Sequence, residues 1–483
     1  MTLKAIALKL LAPFMAPATA WESQYESANT SPRRGSVPGA APTDSKKELT
    51  QYIRTELVRK SRYLHKNSGF VRELVSNMAI YSTGDGIRVQ AQSVDSNWNR
   101  SAEAYFDSWS SQCEITRRFS FPECLSLVCR GMDIDGEYFV HKTRTGTGEP
   151  TLQLIESHRV GDNSWGRSGS TDGVILDSYG APVAYRVKLD DNTTEDLSAA
   201  AVMHLFEPEW AGAVRAHPTL QHSINHVLDE IELLALEKHA VKDNADIARV
   251  ITSERGEIND NGDFELTQGD GLESDSSDAV GLQRIVGGKL VALKPGEDIK
   301  VFESSRPSPT FTGFLEHIRR DSALGFLPYE FAADSSKVGG AGVRLVVAKA
   351  DRRFSYRQMI LERRFIRPVW AYVIGDAINR GLLPPVAAWW KITTVPPRRI
   401  TVDAGREAQQ NRSDVEMGLK TLSDHYAEMG ADFGEEIERR ALDAKLIIEA
   451  AAKYGVPVDM LWKPNGMAVT NPDAEADEPP PGR

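Results

Sequence analysis

The sequence predicts an α+β protein in which helices predominate and strands are confined to a few regions. Apolar residues recur at helical spacing in both halves of the chain, and short β-type runs separated by turn signals lie between residues 137 and 187. A loop rich in small residues, 332–342, opens a long helical run over 343–380 that carries many arginines. A long helix entered through a glycine-rich loop, with no nucleophile beside it, favours a structural component over an enzyme.

Four helices are predicted ahead of the strands. The first begins near Ser45, and its apolar stripe comprises Leu49, Tyr52, Ile53 and Leu57, which recur at helical spacing. The other three predicted helices lie at 70–84, 98–109 and 122–131.

A β unit is predicted next. Turn signals such as Asp135-Gly136 and Tyr179-Gly180 separate its strands, which indicates a compact antiparallel or mixed unit of about 80 residues. The predicted strands lie at 137–142, 152–155, 173–176 and 183–187.

The second half of the chain is predicted to be mainly helical. A long helix with one apolar stripe runs from Pro218 toward Val250, and two strands around Pro295-Gly296 and a helix over 308–325 follow. Pro368 should kink the long helical run, because proline donates no backbone hydrogen bond and clashes with the preceding turn. Helices are expected again over 405–460.

Composition limits the possible functions. The chain has 483 residues, is 41% hydrophobic and 26% charged, and carries a net charge of −11. This length allows roughly two to four domains with a sizeable core. Proteins that grip DNA from outside are usually basic, so the acidic balance argues against a simple DNA-binding module, but not against a protein that lets DNA slide past. No stretch approaches the roughly 18 consecutive apolar residues of a membrane span.

The N-terminus resembles a signal peptide in part. Its apolar stretch over 5–20 is interrupted by Lys9, Pro13 and Pro17, so an amphipathic arm is favoured, and secretion stays an alternative. The cysteines fit no zinc pattern, and their sparse, odd number suits a reducing cytoplasm. They are Cys113, Cys124 and Cys129.

Two motifs raise the possibility of a metal site. Asp133-Ile-Asp135-Gly-Glu137 resembles part of a calcium loop, but a strand follows at once where an EF-hand needs a longer loop and a second helix, so a solvated turn is favoured. His222 and His226 lie one helical turn apart without a third ligand, so a solvated or interfacial helix face is favoured. No phosphate loop or nucleophile elbow is present in the sequence, whereas a nuclease-like carboxylate cluster stays an alternative.

The arginines of the long helix allow two interpretations. Pairing with acids of neighbouring helices or subunits is favoured, because these arginines share one face only partly and the protein is acidic. A basic stripe toward DNA phosphates is the alternative. The series is Arg344, Arg352, Arg353, Arg357, Arg363, Arg364 and Arg367.

Short motifs in a fixed order give the chain a family resemblance over 49–462. They read RKSRYLHKNSG at 59–69, IYSTGDGI at 80–87, DGEYFV at 135–140, LQLIESHRV at 152–160, DGV at 172–174 with GAPVAY at 180–185, LKPGE at 293–297 and RPSPTF at 306–311. In this order and spacing they resemble the lambda-type bacteriophage portal proteins. One departure is Arg215-Ala216, where many relatives carry Arg-Gly, so the turn before the long helix is expected to be built differently.

The resemblance implies a portal fold with a helical wing and crown, a two-helix stem and a small β-containing clip. It implies a ring, usually of twelve subunits, at one capsid vertex. The implied parts are an N-terminal arm at 1–48, a wing at 49–217, a stem helix at 218–250, a clip at 251–307, a second stem helix at 308–326, a tunnel loop at 327–342, a long wing helix and connection at 343–404, a crown at 405–465 and a disordered tail at 466–483.

The function implied by the resemblance is a non-enzymatic channel for packaging and ejecting double-stranded DNA, without a cofactor. The implied partners are further copies of the chain, double-stranded DNA, the terminase large subunit, the major capsid or scaffold protein and a head–tail adaptor, with no membrane. The implied location is the capsid vertex of the virion, and the host cytoplasm during assembly. Lys337 is the predicted phosphate contact in the tunnel loop, with Ser335 and Ser336 as secondary candidates. The alternatives are a metal-dependent nucleic-acid enzyme and another ring-forming virion protein.

Overall fold

The computed structural model describes residues 44–162, 169–190, 193–246, 250–253, 297–300, 309–400, 404–429, 431 and 433–461. Most of the predicted N-terminal arm and of the predicted clip, and all of the tail at 466–483, lie outside the described residues. So does the first of the two strands predicted around Pro295-Gly296.

The N-terminal part is helical, as predicted, and side chains fix where its helices begin. Thr50 and Ser68 each accept a hydrogen bond from a backbone N–H in the first turn, and Ser120 and Glu123 form a reciprocal capping box. The elements are α1 (Ser45–Glu48), α2 (Gln51–Asn67), α3 (Gly69–Thr83), β1 (Arg88–Ala91), α4 (Ser96–Ser110) and α5 (Phe121–Ile134).

The helix predicted from Ser45 onward is confirmed, and its buried face includes a charged residue. Tyr52 and Ile53 are exposed, whereas Arg54, Val58 and Leu64 are buried. α2 can bury an arginine because that side chain has anionic partners inside the protein.

The β unit consists of two small antiparallel sheets. The predicted strands are confirmed, and two further strands complete the sheets, whose orders are β3-β2-β7 and β4-β5-β6. In the first sheet Phe139 pairs with Ile155 on one side and with His204 on the other. The strands are β2 (Glu137–Arg144), β3 (Pro150–Glu156), β4 (Val174–Leu176), β5 (Pro182–Lys188), β6 (Thr194–Ser198) and β7 (Val202–Phe206).

Two helices that follow the β unit pack against each other. α6 (Ile224–Asp246) and α7 (Pro309–Ala323) pack together in antiparallel fashion, since Glu230 contacts Arg319 while the earlier His226 lies near the later Asp321. The described ends of the intervening chain, β8 (Val250–Ser253) and β9 (Glu297–Lys300), pair antiparallel. β9 confirms the second of the two strands predicted around Pro295-Gly296.

The long helical run is present and is interrupted where proline was expected to disturb it. α8 (Tyr329–Ala332) precedes α9 (Gly340–Leu361), a π-helical turn at Glu362–Ile366 and α10 (Arg367–Asn379). Pro368 has no N–H to offer the carbonyl of Arg364, and the π-helical turn lies where that hydrogen bond would form. The α10 side of this run enters the main core, where Trp370 is fully buried.

The chain then returns to the N-terminal part before ending in helices. β10 (Ile392–Val395) pairs antiparallel with β1, a contact between distant parts of the sequence that was not predicted. The helices predicted over 405–460 are confirmed as α11 (Ala404–Glu416), α12 (Leu422–Glu428), α13 (Phe433–Tyr454) and α14 (Val458–Leu461). None of the helices in the described part of the chain has the length and apolar character of a membrane span.

Candidate functional site

The segment predicted as a tunnel loop is partly helical and firmly anchored. α8 lies inside it, and its Tyr329 is buried beneath Arg320, whose guanidinium lies 5.4 Å from the ring centre. Phe331 packs against Tyr81 and Phe354, with ring centres 5.2 and 5.6 Å apart. Because α9 begins at Gly340, the part without regular secondary structure is 333–339, which we call the projecting loop.

Local contacts shape the projecting loop. The Ser336 N–H donates to Asp334 Oδ1 at 2.9 Å, which lowers the pKa of Asp334 together with the Ser336 hydroxyl. A Cβ on Gly342 would lie 2.5 Å from Val338 Cγ1, so this glycine permits close packing rather than an unusual backbone. None of Gly339, Gly340 and Gly342 has a positive φ. Gly342 lets α9 start close against the loop, whereas a Cβ on Gly339 or Gly340 would meet nothing within 4 Å.

The three predicted DNA-contact residues lie together in this loop, and each is exposed. Lys337 Nζ donates to a Glu316 carboxylate oxygen on α7, and this contact raises the pKa of Lys337. Its side chain stays 63% exposed, so the pair is open to solvent and weak. The structure therefore places Lys337, Ser335 and Ser336 on one accessible loop, with the lysine held toward α7.

A groove of about 690 Å³ lies between α6, α7 and the projecting loop. Its charged lining is mixed, because four basic and three acidic side chains face it. They are Lys238, Lys242, Arg319, Lys337, Glu237, Glu316 and Asp334. A mixed lining disfavours tight, static binding of a polyanion.

Three arginines of the long helical run, Arg353, Arg357 and Arg367, contact acids of the same chain, which supports the favoured interpretation. Arg353 Nη1 donates to Glu207 at 2.6 Å, and Arg357 Nη2 donates to Asp133 Oδ1 at 2.7 Å and to Glu207 at 3.3 Å. Arg364 lies over the ring of Phe206 at 4.5 Å. The contacts of Arg353 and Arg357 attach α9 to α5 and to the residue after β7, and Arg364 attaches the π-helical turn to β7.

The acidic motif over 133–137 is buried, so the expectation of a solvated turn was wrong. Asp133 is bound by Arg357, and Asp135 accepts two hydrogen bonds from Arg62, at 2.7 and 2.5 Å. Glu137 accepts hydrogen bonds from Arg215 Nε at 2.9 and 3.1 Å. Each carboxylate thus has its own arginine, which assigns all three to holding the fold.

Glu137 is the centre of a buried ionic cluster that sequence reasoning missed. His204 Nε2 lies 2.9 Å from Glu137 Oε2, and Arg54 joins the cluster through Asp172, to which Nη2 donates at 3.1 Å. Although burial opposes it, the charge of Arg215 holds the pKa of Glu137 well below its usual value. The cluster joins α2, the β unit and the segment before α6. In the sequence, Glu137 belongs to the acidic motif over 133–137 and Arg215 precedes the departure at Ala216, but nothing in the sequence joins the two.

Among the described residues, the histidines and cysteines form no metal-binding group. His226 Nε2 lies 3.7 Å from Asp321 Oδ2 and is half-exposed, in agreement with the expected solvated helix face. Cys113, Cys124 and Cys129 are buried and free. Within the described ranges, no set of three or more His, Cys, Asp or Glu side chains is arranged to hold a metal ion.

Comparisons with known proteins give one strong match. A family model described as phage portal protein, lambda family, matches residues 34–358, well over half of the chain. Solved structures are similar at a lower level. A chain from the neck of an empty GTA particle computed with C6 symmetry is 14% identical, with a TM-score of 0.47 over 78% of this chain and 93% of that one.

Two other solved structures are similar in the same way. A chain from the virion of the native gene transfer agent (GTA) particle is 12% identical, with a TM-score of 0.45 over 82% of this chain and 96% of that one. An HK97-family phage portal protein from Corynebacterium diphtheriae is 10% identical, with a TM-score of 0.33 over 66% of this chain and 96% of that one. The family match, rather than these weak likenesses, carries the assignment.

Proposed function

Because the chain belongs to the lambda family of phage portal proteins, we propose that it is the ring-forming subunit of a DNA channel at one vertex of a viral capsid. The match over residues 34–358 is the observation that carries this proposal. Proteins of this family are structural components of the virion and are not enzymes. In this role the subunit guides double-stranded DNA during packaging and ejection.

The proposed architecture follows the order of elements along the chain. α6 and α7 are the two stem helices, and the chain between them, 251–307, is the clip that docks the terminase large subunit and later the head–tail adaptor. Residues 49–217 together with 343–404 form the wing, which meets the major capsid or scaffold protein. The antiparallel packing of α6 and α7, tied by the 2.6 Å contact between Arg319 and Glu230, supports a rigid stem.

The projecting loop is proposed to touch DNA. Lys337 is the primary phosphate contact, and the hydroxyls of Ser335 and Ser336 are secondary ones. In the single chain, Lys337 forms an ion pair with Glu316, so a DNA phosphate has to compete with that carboxylate for the lysine. Such competition suits a loop that lets DNA pass without holding it, because each contact forms and breaks at little cost.

A packaging assay with loop variants tests the proposal. We expect Lys337→Ala to lower the fraction of particles that retain full-length DNA, and Lys337→Arg to preserve it, because arginine keeps the charge. Deletion of 333–339 should cause a larger loss while rings still form, since this loop lies outside the packed core. Lys391→Ala, at an exposed lysine just before β10, is the matched control and should behave like wild type.

The outcomes test the role of the loop separately from the portal function. Wild-type levels of packaging and retention in both the Lys337→Ala and the deletion variants would refute the role of the loop. Absence of rings from the purified wild-type protein, and from assembled particles, would refute the portal function itself. Electron micrographs of the same preparations provide the second readout.

A further inference from the structure

Two of the three cysteines touch each other in the main core. Cys113 Sγ lies 3.8 Å from Cys124 Sγ, and both side chains are fully buried. Cys113 belongs to the segment between α4 and α5, residues 111–120, whereas Cys124 lies in the first turn of α5. A single buried cysteine behaves as a small apolar side chain, but two sulfurs in contact can also form a bond with each other.

The geometry of the chain selects this pair. Sulfurs at 3.8 Å have to approach by about 1.8 Å to reach the roughly 2.05 Å of a disulfide, a change within reach of rotation about the Cα–Cβ bonds. Cys129 follows Cys124 by five residues on the same helix, so its side chain points about 140° away from that of Cys124. Of the two cysteines on α5, Cys124 is therefore the one that faces Cys113.

Exposed residues lie directly beside Cys113 in the segment 111–120. Gln112 precedes it, and residues 115–118 follow the buried Glu114. Arg117 has a φ of 57°, a left-handed conformation that is unfavourable for a residue with a side chain. Two backbone hydrogen bonds of 2.8 Å hold the segment to Leu152 of β3. Local opening of this short segment uncovers Cys113 first, while Cys124 stays inside a helix.

Burial keeps the two thiols reduced for as long as the surroundings are reducing. The contact with Cys124, together with burial, raises the pKa of Cys113, so little of the reactive thiolate is present at neutral pH. Cytoplasmic thiols are also kept reduced by cellular reductants, which no longer act on a virion that has left the cell. Oxidation of this pair is therefore expected to be slow and to take place in the released particle.

We infer that Cys113 and Cys124 are joined by an intrachain disulfide when the protein meets a peroxide in non-reducing surroundings. The bond closes a loop with ten residues between the two cysteines and joins the segment 111–120 covalently to α5. It depends on the two thiols alone, so it goes beyond the proposed channel and does not require it.

The reaction consumes one peroxide and proceeds in two steps. The Cys113 thiolate attacks one peroxide oxygen and the O–O bond breaks, which gives a sulfenic acid and a hydroxide that takes up the thiol proton to become water. Cys124 then gives up its proton, its sulfur attacks the sulfenic sulfur, the S–O bond breaks and a second water leaves. Two thiols and one hydrogen peroxide thus give one disulfide and two waters.

The bond would secure the place where the long helical run packs. The ring centres of Phe106 on α4 and Phe121 on α5 lie 5.4 Å apart. Trp370 lies 5.3 Å from Phe106, and Phe365 lies 5.4 Å from Phe121. The segment that carries Cys113 connects α4 to α5 beside these rings, so a cross-link there limits how far the two helices can separate.

Mass spectrometry of the digested protein tests whether the bond forms. The full-length protein is treated with hydrogen peroxide and then unfolded at slightly acidic pH with N-ethylmaleimide, which blocks every remaining thiol and prevents exchange. Trypsin cleaves after Arg117 and Arg118, between the two cysteines, so the disulfide links two otherwise separate peptides, 101–117 and 119–130. A parallel sample in urea just below the unfolding midpoint promotes local opening.

We expect linked peptides from the wild type, with Cys129 carrying N-ethylmaleimide, and an equal yield from Cys129→Ala. Cys124→Ala is the matched negative variant and should lower the yield at least tenfold. N-ethylmaleimide on all three wild-type cysteines in both samples would overturn the inference, and so would sulfinic acid on Cys113 in place of the link. Linked peptides that persist in Cys124→Ala and disappear in Cys129→Ala would overturn it too, because Cys113 would then pair with the other thiol.

Urea unfolding measures what the bond does to the fold. Oxidised wild-type protein should unfold at a urea midpoint about 0.5–1 M higher than protein reduced with dithiothreitol, because the cross-link restricts the unfolded chain. The difference should vanish in Cys124→Ala and persist in Cys129→Ala. Equal midpoints for linked and reduced wild-type protein would contradict the effect on α4 and α5. Absence of rings would leave all these results unchanged and would contradict the proposed function alone.

Discussion

Replacing Arg357 with methionine should destabilise the protein strongly and in a pH-dependent way. Arg357 and Asp133 are both buried, and their 2.7 Å contact joins α9 to α5. Methionine fills much of the same space without charge, so the variant leaves Asp133 buried without its cation. The hydroxyl of Thr219, which donates to Asp133 Oδ1 at 3.2 Å, is a remaining donor but brings no charge.

The expected loss in the free energy of unfolding is the cost of keeping the Asp133 carboxyl group buried. Burial already raises the pKa of Asp133, and Arg357 opposes this effect. Without the arginine the carboxylate takes up a proton, which costs about 1.4 kcal/mol for each pH unit above an ordinary pKa near 4. The added cost is therefore at most about 4 kcal/mol at pH 7 and about 1.5 kcal/mol at pH 5, because the wild type, in which the pKa of Asp133 is already raised, bears part of it. The value at pH 7 falls within the roughly 3–5 kcal/mol typical of a broken buried pair.

Urea unfolding at pH 7 and pH 5, followed by tryptophan fluorescence at one protein concentration, measures this effect. The sign is set by Asp133: its folded pKa, already raised in the wild type, rises further in the variant, so the variant loses more stability than the wild type as pH rises. Arg352→Met, at an exposed position on the same helix, is the control and should change the free energy of unfolding by about 0.5 kcal/mol or less.

A second substitution separates charge from packing. Asp133→Leu added to Arg357→Met should recover most of the loss, because no buried charge then lacks a partner. A loss below about 1 kcal/mol at pH 7 would refute the reasoning. So would an equal loss at both pH values, since lost packing alone does not depend on protonation.

Two further substitutions probe neighbouring parts of the β unit. Gly131→Ala should lower the free energy of unfolding by about 1–3 kcal/mol in the same urea assay, because the added Cβ would lie 2.1 Å from the Tyr138 ring. Gly146→Ala is the control and should be neutral, because an added Cβ there would meet nothing within 4 Å. Burial lowers the pKa of His204 beside Glu137. Below about pH 6.5 the unfolded chain therefore binds a proton at this histidine that the folded chain does not bind, and the free energy of unfolding falls as the pH drops. His204→Gln should reduce this slope between pH 6.5 and 5 by up to about 1.4 kcal/mol per pH unit, and an unchanged slope would contradict it.

The helices and strands that depend on neighbouring residues could be predicted from the sequence. The helices before the β unit, the strands over 137–187 and the helical run around Pro368 were predicted because spacing, turn residues and proline act over a few positions. The anchoring of α8 was not predicted, since Phe331 and Tyr81 are 250 positions apart and only the fold brings their rings together.

The partners of the buried charged residues were missed for the same reason, although pairing of the arginines with acids was the favoured interpretation. Arg54 meets Asp172 across 118 positions, and Arg357 meets Asp133 across 224. Local patterning reads such residues as exposed, because a lone charge is rarely buried. The loop that carries Lys337 is marked in the sequence by its composition, and contact between Lys337 and DNA stays a prediction.

The rule that apolar side chains face inward failed at α2 and at α13, for different reasons. In α2, Arg54 is buried because Asp172 and Glu137 offset its charge, so the helix rotates to place Tyr52 and Ile53 outside. In α13 no such internal partner accounts for the exposed leucines and isoleucines among the described residues. The failure at α2 is resolved within one chain, by the ionic contacts of Arg54. Apolar patterning therefore predicts the buried face of a helix only after the possible ionic contacts of that helix have been considered.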